Sequence, residues 1–348
     1  MIPLPVDPAA PAPTTPSKTT TPGRPDKAAS PMWRQFIAPV AGVIVLALAL
    51  FALHRMSQQV TIDQVAAAVH ATPTLTLVCA ALFTALSYVI LTGYDWLALN
   101  HLGYRLPFST IANASFTSFT MSHTLGMTVL TGGTVRYRIY TRVGVEPLDV
   151  VLIVALCGWT FWLGIIMAAG IGLTIDPGIA ASVDVLPAGV NRFAGVLLLA
   201  GALAYSLFAA FYRRELRLFG LHMTLPNWRS TCAQLVIGGF DLAAAAAALY
   251  MLLPDAGMPP FVGFIVIYAV AMIVGALSHA PGGLGVFETV VVVMLPHLPK
   301  DEVLAALFLF RVMYTLVPFI LGLIALAVTE LMALKHRRAL AQPPGLDV

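Results

Sequence analysis

The chain has 348 residues, 59% of them hydrophobic and only 10% charged, and its mean hydropathy is +0.88. A soluble domain carries roughly 25% charged residues, so this composition excludes a soluble enzyme and specifies a polytopic membrane protein. The net charge of +3 sits largely in loops, where it reports topology and lipid contact; no nucleic-acid partner is expected.

Taken in order, residues 1–32 are rich in Pro, Thr and Ala and include Lys18, Arg24 and Lys27. Such a stretch cannot build a core and is predicted to be a disordered cytoplasmic tail. The apolar run at 36–53 is too long for the apolar part of a signal peptide and predicts the first membrane helix. A loop at 55–72, with a short interfacial helix at 62–69, leads to a second span over about 74–99 that carries Gly93-Tyr94-Asp95 near its end. Residues 109–130 are long enough to cross but unusually polar, with Asn113, Ser115, Thr117, Ser118, Thr120, Ser122 and His123 among them. The motif Thr131-Gly132-Gly133-Thr134-Val135-Arg136-Tyr137-Arg138-Ile139-Tyr140-Thr141-Arg142 follows. Apolar spans are then predicted at about 149–174, 191–212, 231–253, 259–280, 284–296 and 303–329. The transmembrane domain is thus expected over 33–330. A short basic cytoplasmic tail is expected over 331–348, with no room for a soluble catalytic domain.

Two glycine pairs stand out. Gly132-Gly133 and Pro281-Gly282-Gly283-Leu284-Gly285 each follow a Ser-His pair, Ser122-His123 and Ser278-His279. Both are predicted to break a helix at membrane depth. A break there leaves backbone groups that lipid cannot satisfy, so it must lie within protein or line a wet cavity.

Charge sets the topology. Cytoplasmic loops collect Lys and Arg, which puts the basic N-terminal tail, the loop with Arg213, Arg214, Arg217 and Arg229, and the C-terminal tail inside, and the acidic loop with Asp176 and Asp184 outside. A full crossing by 109–130 would reverse this for Arg136, Arg138 and Arg142, so 109–130 is predicted to be a re-entrant hairpin. For 259–296, two crossings and a second hairpin satisfy the charges equally.

The halves also echo each other. Gly93-Tyr94-Asp95 resembles Gly239-Phe240-Asp241, and the segment from Gly132 to Arg138 aligns without gaps on Gly282 to Glu288. The charge-derived orientation makes these repeats inverted. The expected fold is an all-α polytopic helical bundle of two inverted repeats with re-entrant or broken helices, an architecture that places a transport site between the halves.

Ionisable residues at membrane depth are costly and usually functional. Asp241 is a candidate contact for a cationic head group, or a structural partner of Arg311. Glu288 aligns with Arg138, and the two are candidates either for cargo contact or for a salt bridge across the repeat. Asp95 falls near a predicted interface, and as the repeat partner of Asp241 it is a further candidate contact for a cationic head group. Arg136, Arg138 and Arg142, interleaved with Tyr137 and Tyr140, suit a lipid phosphate, which Arg grips with paired hydrogen bonds; the alternative is a basic anchor with interfacial tyrosines. His123 and His279 are either proton-linked switches or packing histidines. Cys79, Cys157 and Cys232 lie apart in apolar segments, and no His-x-x-x-His pair occurs, so neither a metal nor another cofactor is expected.

The Gly-Gly-x-Val-Arg-Tyr-Arg-x-Tyr motif and the later Ser-His-x-Pro-Gly-Gly-Leu-Gly-Val-Phe-Glu motif resemble those of the lysylphosphatidylglycerol synthetase transmembrane family. That family includes the flippase domain of MprF proteins and standalone YbhN-like proteins. The resemblance covers about 35–330. It implies a bundle in the bacterial inner membrane that moves a phospholipid with a modified head group, such as lysyl-phosphatidylglycerol, from inner to outer leaflet, without transferase activity in this chain. The alternative is a non-transporting partner of a separately encoded lipid-modifying enzyme. An enzyme acting on lipids inside the membrane is disfavoured because no nucleophile–base pair or metal set is visible.

Overall fold

In a chain this apolar, backbone donors and acceptors have no water to turn to, so each segment satisfies them internally as helix. The computed structural model describes residues 70, 72–126, 128–178, 187–211, 215–218, 221–224, 226–278 and 280–341. The predicted N-terminal tail, the span at 36–53, the interfacial helix at 62–69 and His279 lie outside the described residues. Apart from one short hairpin, β1 (Glu215–Leu218) with β2 (Leu221–Thr224), the described elements are helical.

Helix α1 (Thr74–His101) ends in a left-handed glycine turn: Gly103 has φ 84°, and Tyr104 N–H donates to the Leu99 carbonyl. After it, α2 (Phe108–Leu125) and α3 (Thr131–Arg142) form a hairpin, with Ser118 and Ser122 of α2 lying against Gly132 of α3. Then come α4 (Pro147–Ile175), with Pro at its first position where the missing N–H costs nothing, α5 (Ala188–Phe211) and α6 (Trp228–Leu252). A second hairpin follows, made of α7 (Phe261–Leu277), a 3-10 turn (Pro281–Gly283) and α8 (Val286–Met294). The chain closes with α9 (Lys300–Phe310), a π-helical stretch (Arg311–Leu316) and α10 (Val317–Ala341). Among the described residues, five helices are long and apolar enough to cross a membrane: α1, α4, α5, α6 and the continuous segment Lys300–Met332.

This length count decides the question left open at 259–296. Helix α8 has 9 residues and rises about 14 Å at roughly 1.5 Å per residue, against a hydrocarbon core of about 30 Å. It cannot cross, so α7 and α8 form the second re-entrant hairpin. The loops agree. Asp176, Gly178, Gly257, Pro259, Pro296 and His297 all line one cavity of about 290 Å³, which places the ends of α4, α6 and α8 on the same face. Arg138 and Arg142 of the first hairpin meet Glu330, close to the end of the crossing segment Lys300–Met332, on the opposite face. The two hairpins therefore enter from opposite sides, as inverted repeats require.

Small residues let the crossing helices approach. A Cβ on Gly164 of α4 would lie 2.5 Å from the backbone of Gly238 in α6, and Gln234 donates to Thr160 Oγ1 across the same seam at 3.1 Å. Close backbone contact with interhelical hydrogen bonds is how membrane helices associate when lipid is as apolar as the side chains. One buried cluster joins α4, α6, α7, α8 and α9, and a second joins α1, α2, α3 and α4. Each hairpin thus has its own core. Along α5, by contrast, Phe193, Leu197, Leu203 and Phe211 are exposed, an apolar face suited to lipid.

Gly164→Val should cost about 1–3 kcal/mol or more through overpacking at the α4–α6 crossing. Size-exclusion of the detergent-solubilised protein checks this. The expected result is loss of the single sharp peak, while Gly158→Val on the same helix, where a Cβ meets nothing within 4 Å, keeps it.

Candidate functional site

The two hairpins meet tip to tip. Helix α2 stops at Gly126, whose φ is 71°, and its last turn presents the carbonyls of His123 and Thr124. Against these lies Gly282, at φ +59°, where a Cβ would come within 2.9 Å of both oxygens. Gly283 and Gly285 also have positive φ, so the second glycine set breaks the helix as predicted. The first does not. Gly132 and Gly133 sit inside the opening turn of α3, and neither has positive φ. The break falls at Gly126 instead, and Gly132 serves close packing: a Cβ there would be 2.3 Å from Ser122 Oγ. The two segments aligned by sequence therefore differ in backbone conformation.

The charges also pair differently from the expectations. Asp95 is fully buried rather than interfacial. Arg136, equally buried, donates Nε and Nη2 to its two oxygens at 2.8 Å each, and Tyr140 OH adds a third bond at 2.9 Å. Arg136 is therefore not open to a lipid phosphate. Its guanidinium lies 4.5 Å from the centre of the Phe119 ring, and its Nη1 has no hydrogen-bond partner. This pair ties α3 to α1 as a fork-to-fork contact, the geometry that favours Arg over Lys.

Arg311 pairs with Glu288 and not with Asp241. Its Nε donates to Glu288 Oε1 at 2.5 Å, and Nη1 donates to the Gly282 carbonyl at 2.7 Å. Glu288 also accepts from Gly285 N–H at 2.8 Å, capping α8 at the end where the helix dipole welcomes an anion. Arg138 does not reach Glu288. It grips Glu330 of α10 through Nε and Nη2, and Arg142 shares the same carboxylate at 2.8 Å. These three side chains keep roughly a fifth to a quarter of their surface exposed, at 18%, 27% and 23% for Arg138, Arg142 and Glu330. Tyr137 is half-buried beside them and packs on the first core.

Asp241 has only neutral partners. Ser87 Oγ donates to Oδ1 at 2.6 Å and Tyr94 OH to Oδ2 at 3.0 Å, both from α1. Ser87 also meets Tyr314 OH at 2.8 Å. Tyr88 OH donates to the Tyr314 carbonyl and lies 3.4 Å from His123 Nδ1, and the His123 ring stacks on Tyr314. The polar interior thus runs from Asp241 to the hairpin junction. Ser122 and Ser278 take no part; each donates to a carbonyl of its own helix. No group of three or more His, Cys, Asp or Glu side chains suited to a metal occurs among the described residues.

Reading the sequence missed Ser87, Tyr88, Tyr314 and Glu330. Glu330 lies one residue past the predicted last span, so it was not weighed as an intramembrane charge. Tyr314 follows Arg311 by three residues, a spacing that shares a helix face and would have flagged it.

Removing one partner of the buried pair, by Asp95→Asn or Arg136→Leu, should cost about 3–5 kcal/mol, while the double variant Asp95→Leu/Arg136→Leu should recover a large part. Thermal unfolding in detergent measures this. Two single losses that simply add would show that the pair is not coupled.

Residues 40–322 match the family described as the lysylphosphatidylglycerol synthase TM region. An uncharacterized protein of Synechocystis is 33% identical over 263 residues, covering 75% of this chain and 81% of that one. Inner membrane protein YbhN of Escherichia coli is 32% identical over 260 residues, covering 72% and 79%. The phosphatidylglycerol lysyltransferase of Staphylococcus aureus is 40% identical over 85 residues, 23% of this chain but 10% of that enzyme. With the family matched across both hairpins and from before α1 into the start of α10, the chain is a multi-pass membrane protein of the lysylphosphatidylglycerol synthase transmembrane family.

Proposed function

We propose that this protein is a lipid flippase of the bacterial inner membrane, moving a phospholipid with a cationic modified head group, such as lysyl-phosphatidylglycerol, from the inner to the outer leaflet. One observation carries the reading: two helix-broken hairpins enter from opposite faces and meet inside the bundle, at Gly282 against His123 and Thr124. That arrangement supports alternating access, because tilting either hairpin opens the junction to one face only. Family membership ties the chain to membrane lipids, and the inner-membrane location follows the name of the Escherichia coli relative.

In this reading the lipid phosphate is received at Arg138 and Arg142, where Glu330 occupies the place an incoming anion would take. Both arginines are partly exposed, and exchanging a carboxylate for a phosphate keeps every guanidinium bond. The head-group ammonium is received at Asp241, the buried acid that no arginine neutralises. Asp95, Arg136, Glu288 and Arg311 hold the two hairpins in shape. The acyl chains stay in the bilayer.

Proteoliposomes containing lysyl-phosphatidylglycerol test this, with a membrane-impermeant amine reagent reporting the exposed fraction over time. Arg138→Ala with Arg142→Ala should slow exposure about tenfold or more, since even one of the lost charge-assisted hydrogen bonds is worth about 1.5–3 kcal/mol. Phe193→Ala on the lipid face of α5 should leave it unchanged. If the wild-type protein inserts and exposure equals that of empty vesicles, translocation fails, and docking of a separately encoded lipid-modifying enzyme becomes the better reading.

A further inference from the structure

The acids inside the bundle, leaving aside Asp149 in the first turn of α4, fall into two kinds. Asp95 lies on Arg136, Glu288 on Arg311, and Glu330 on both Arg138 and Arg142. Asp241 stands apart: it is only 7% exposed, and its two hydrogen-bond partners are the hydroxyls of Ser87 and Tyr94. The internal repeat explains how this came about. Asp241 corresponds to Asp95, but the position corresponding to Arg136 is Val286. The first half carries its own counter-ion and the second half has an apolar side chain in its place.

The groups facing Asp241 are neutral from each element packed on it. From α1 these are Ser87 and Tyr94, from the π-helical stretch Tyr314, which meets Ser87, and from α7 Tyr268, buried in the same core. Beyond them lie His123 at the hairpin tip and two ion pairs, Arg311–Glu288 and Arg136–Asp95. An unpaired carboxylate buried this way costs several kcal/mol, and a neutral acid does not. A cation brought alongside removes the same cost. The site therefore has two low-energy occupants, a proton or a cation, and holding both at once leaves an uncompensated positive charge.

We propose that Asp241 is a proton-binding site that exchanges its proton for the ammonium of the cargo head group. This rests on the cationic cargo proposed above. The exchange is balanced: the carboxylic acid releases one proton as one ammonium arrives, so the pocket stays neutral at each stage. Ser87 and Tyr314 continue the hydroxyl chain from the carboxyl, and Tyr88, which donates to the main-chain carbonyl of Tyr314 and lies 3.4 Å from His123 Nδ1, packs this end of the chain against the junction of the hairpins. Proton entry from one face and cargo departure to that same face are thereby coupled, and a proton gradient drives the lipid outward with no nucleotide.

Dicyclohexylcarbodiimide modifies protonated carboxyls in apolar surroundings, and peptide mass spectrometry locates the adduct. The test uses the full chain in vesicles of phosphatidylglycerol and phosphatidylethanolamine. Asp241 should be labelled while Asp95 and Glu288 are not. Labelling should fall about tenfold per pH unit above its midpoint, and adding lysyl-phosphatidylglycerol to the vesicles should protect Asp241 several-fold. An Asp241 that stays unlabelled, or is labelled equally at every pH, overturns the proton site. Labelling that follows pH but ignores the lipid overturns the exchange. In the amine-exposure assay, acid on the destination side should speed wild-type transfer several-fold and leave Asp241→Asn unmoved. Labelling as expected with no lipid movement at all would instead overturn the flippase reading, so the two failures are distinct.

Discussion

The structure depends on one constraint: a helix broken inside apolar surroundings frees carbonyls that only protein can satisfy. At the second break this is done by Arg311, whose guanidinium reaches the Gly282 carbonyl while its other edge holds Glu288. Glu288 in turn caps the following helix through Gly285 N–H. At the first break, Thr131 Oγ1 donates to the Gly126 carbonyl. The two tips then cover each other, with Gly282 pressed on the last turn of α2. Each tip supplies part of the surroundings that make the other break tolerable, so the hairpins are stable as a pair.

The arginines do a second job. Arg136 ties α3 to α1, Arg311 ties the π-helical stretch to α8, and Arg138 and Arg142 tie α3 to α10. The first contact is fully buried, and breaking it would strand a charge. The last is partly exposed, in surroundings where exchange of one anion for another is inexpensive. The first hairpin is thus anchored firmly on the side facing α1 and loosely on the side facing α10. That asymmetry suits an element that must stay folded while one edge lets go.

Part of the site was legible early because its physics is local in sequence. A polar run of helix length beside a basic motif, weighed against the charge rule, predicted a hairpin within 109–130; the structure makes that run a single helix, Phe108–Leu125, and closes the hairpin with the basic motif itself, Thr131–Arg142. A helix break at the Pro-Gly-Gly-Leu-Gly string was expected from its composition, and the structure adds that Gly282, Gly283 and Gly285 take left-handed backbone. The same logic misplaced the first break, because Gly132 and Gly133 read identically whether glycine is needed for its backbone or for its missing side chain. Only the nearness of Ser122 tells these apart. The pairings Asp241–Arg311 and Glu288–Arg138 failed for a related reason: repeat alignment matches positions, whereas charge pairing depends on which helix faces which.

What the sequence determined by itself was the membrane class, the helical fold, the inverted arrangement and the family, since these rest on composition, segment length, charge asymmetry and motifs, all of which are properties of short stretches. Tertiary structure alone decided which acid meets which arginine, that α8 turns back instead of crossing, and that Asp241 is left among hydroxyls. Those outcomes depend on contacts between residues such as Ser87 and Asp241, 154 positions apart, and a charge buried in hydrocarbon surroundings is governed by its nearest neighbours in space.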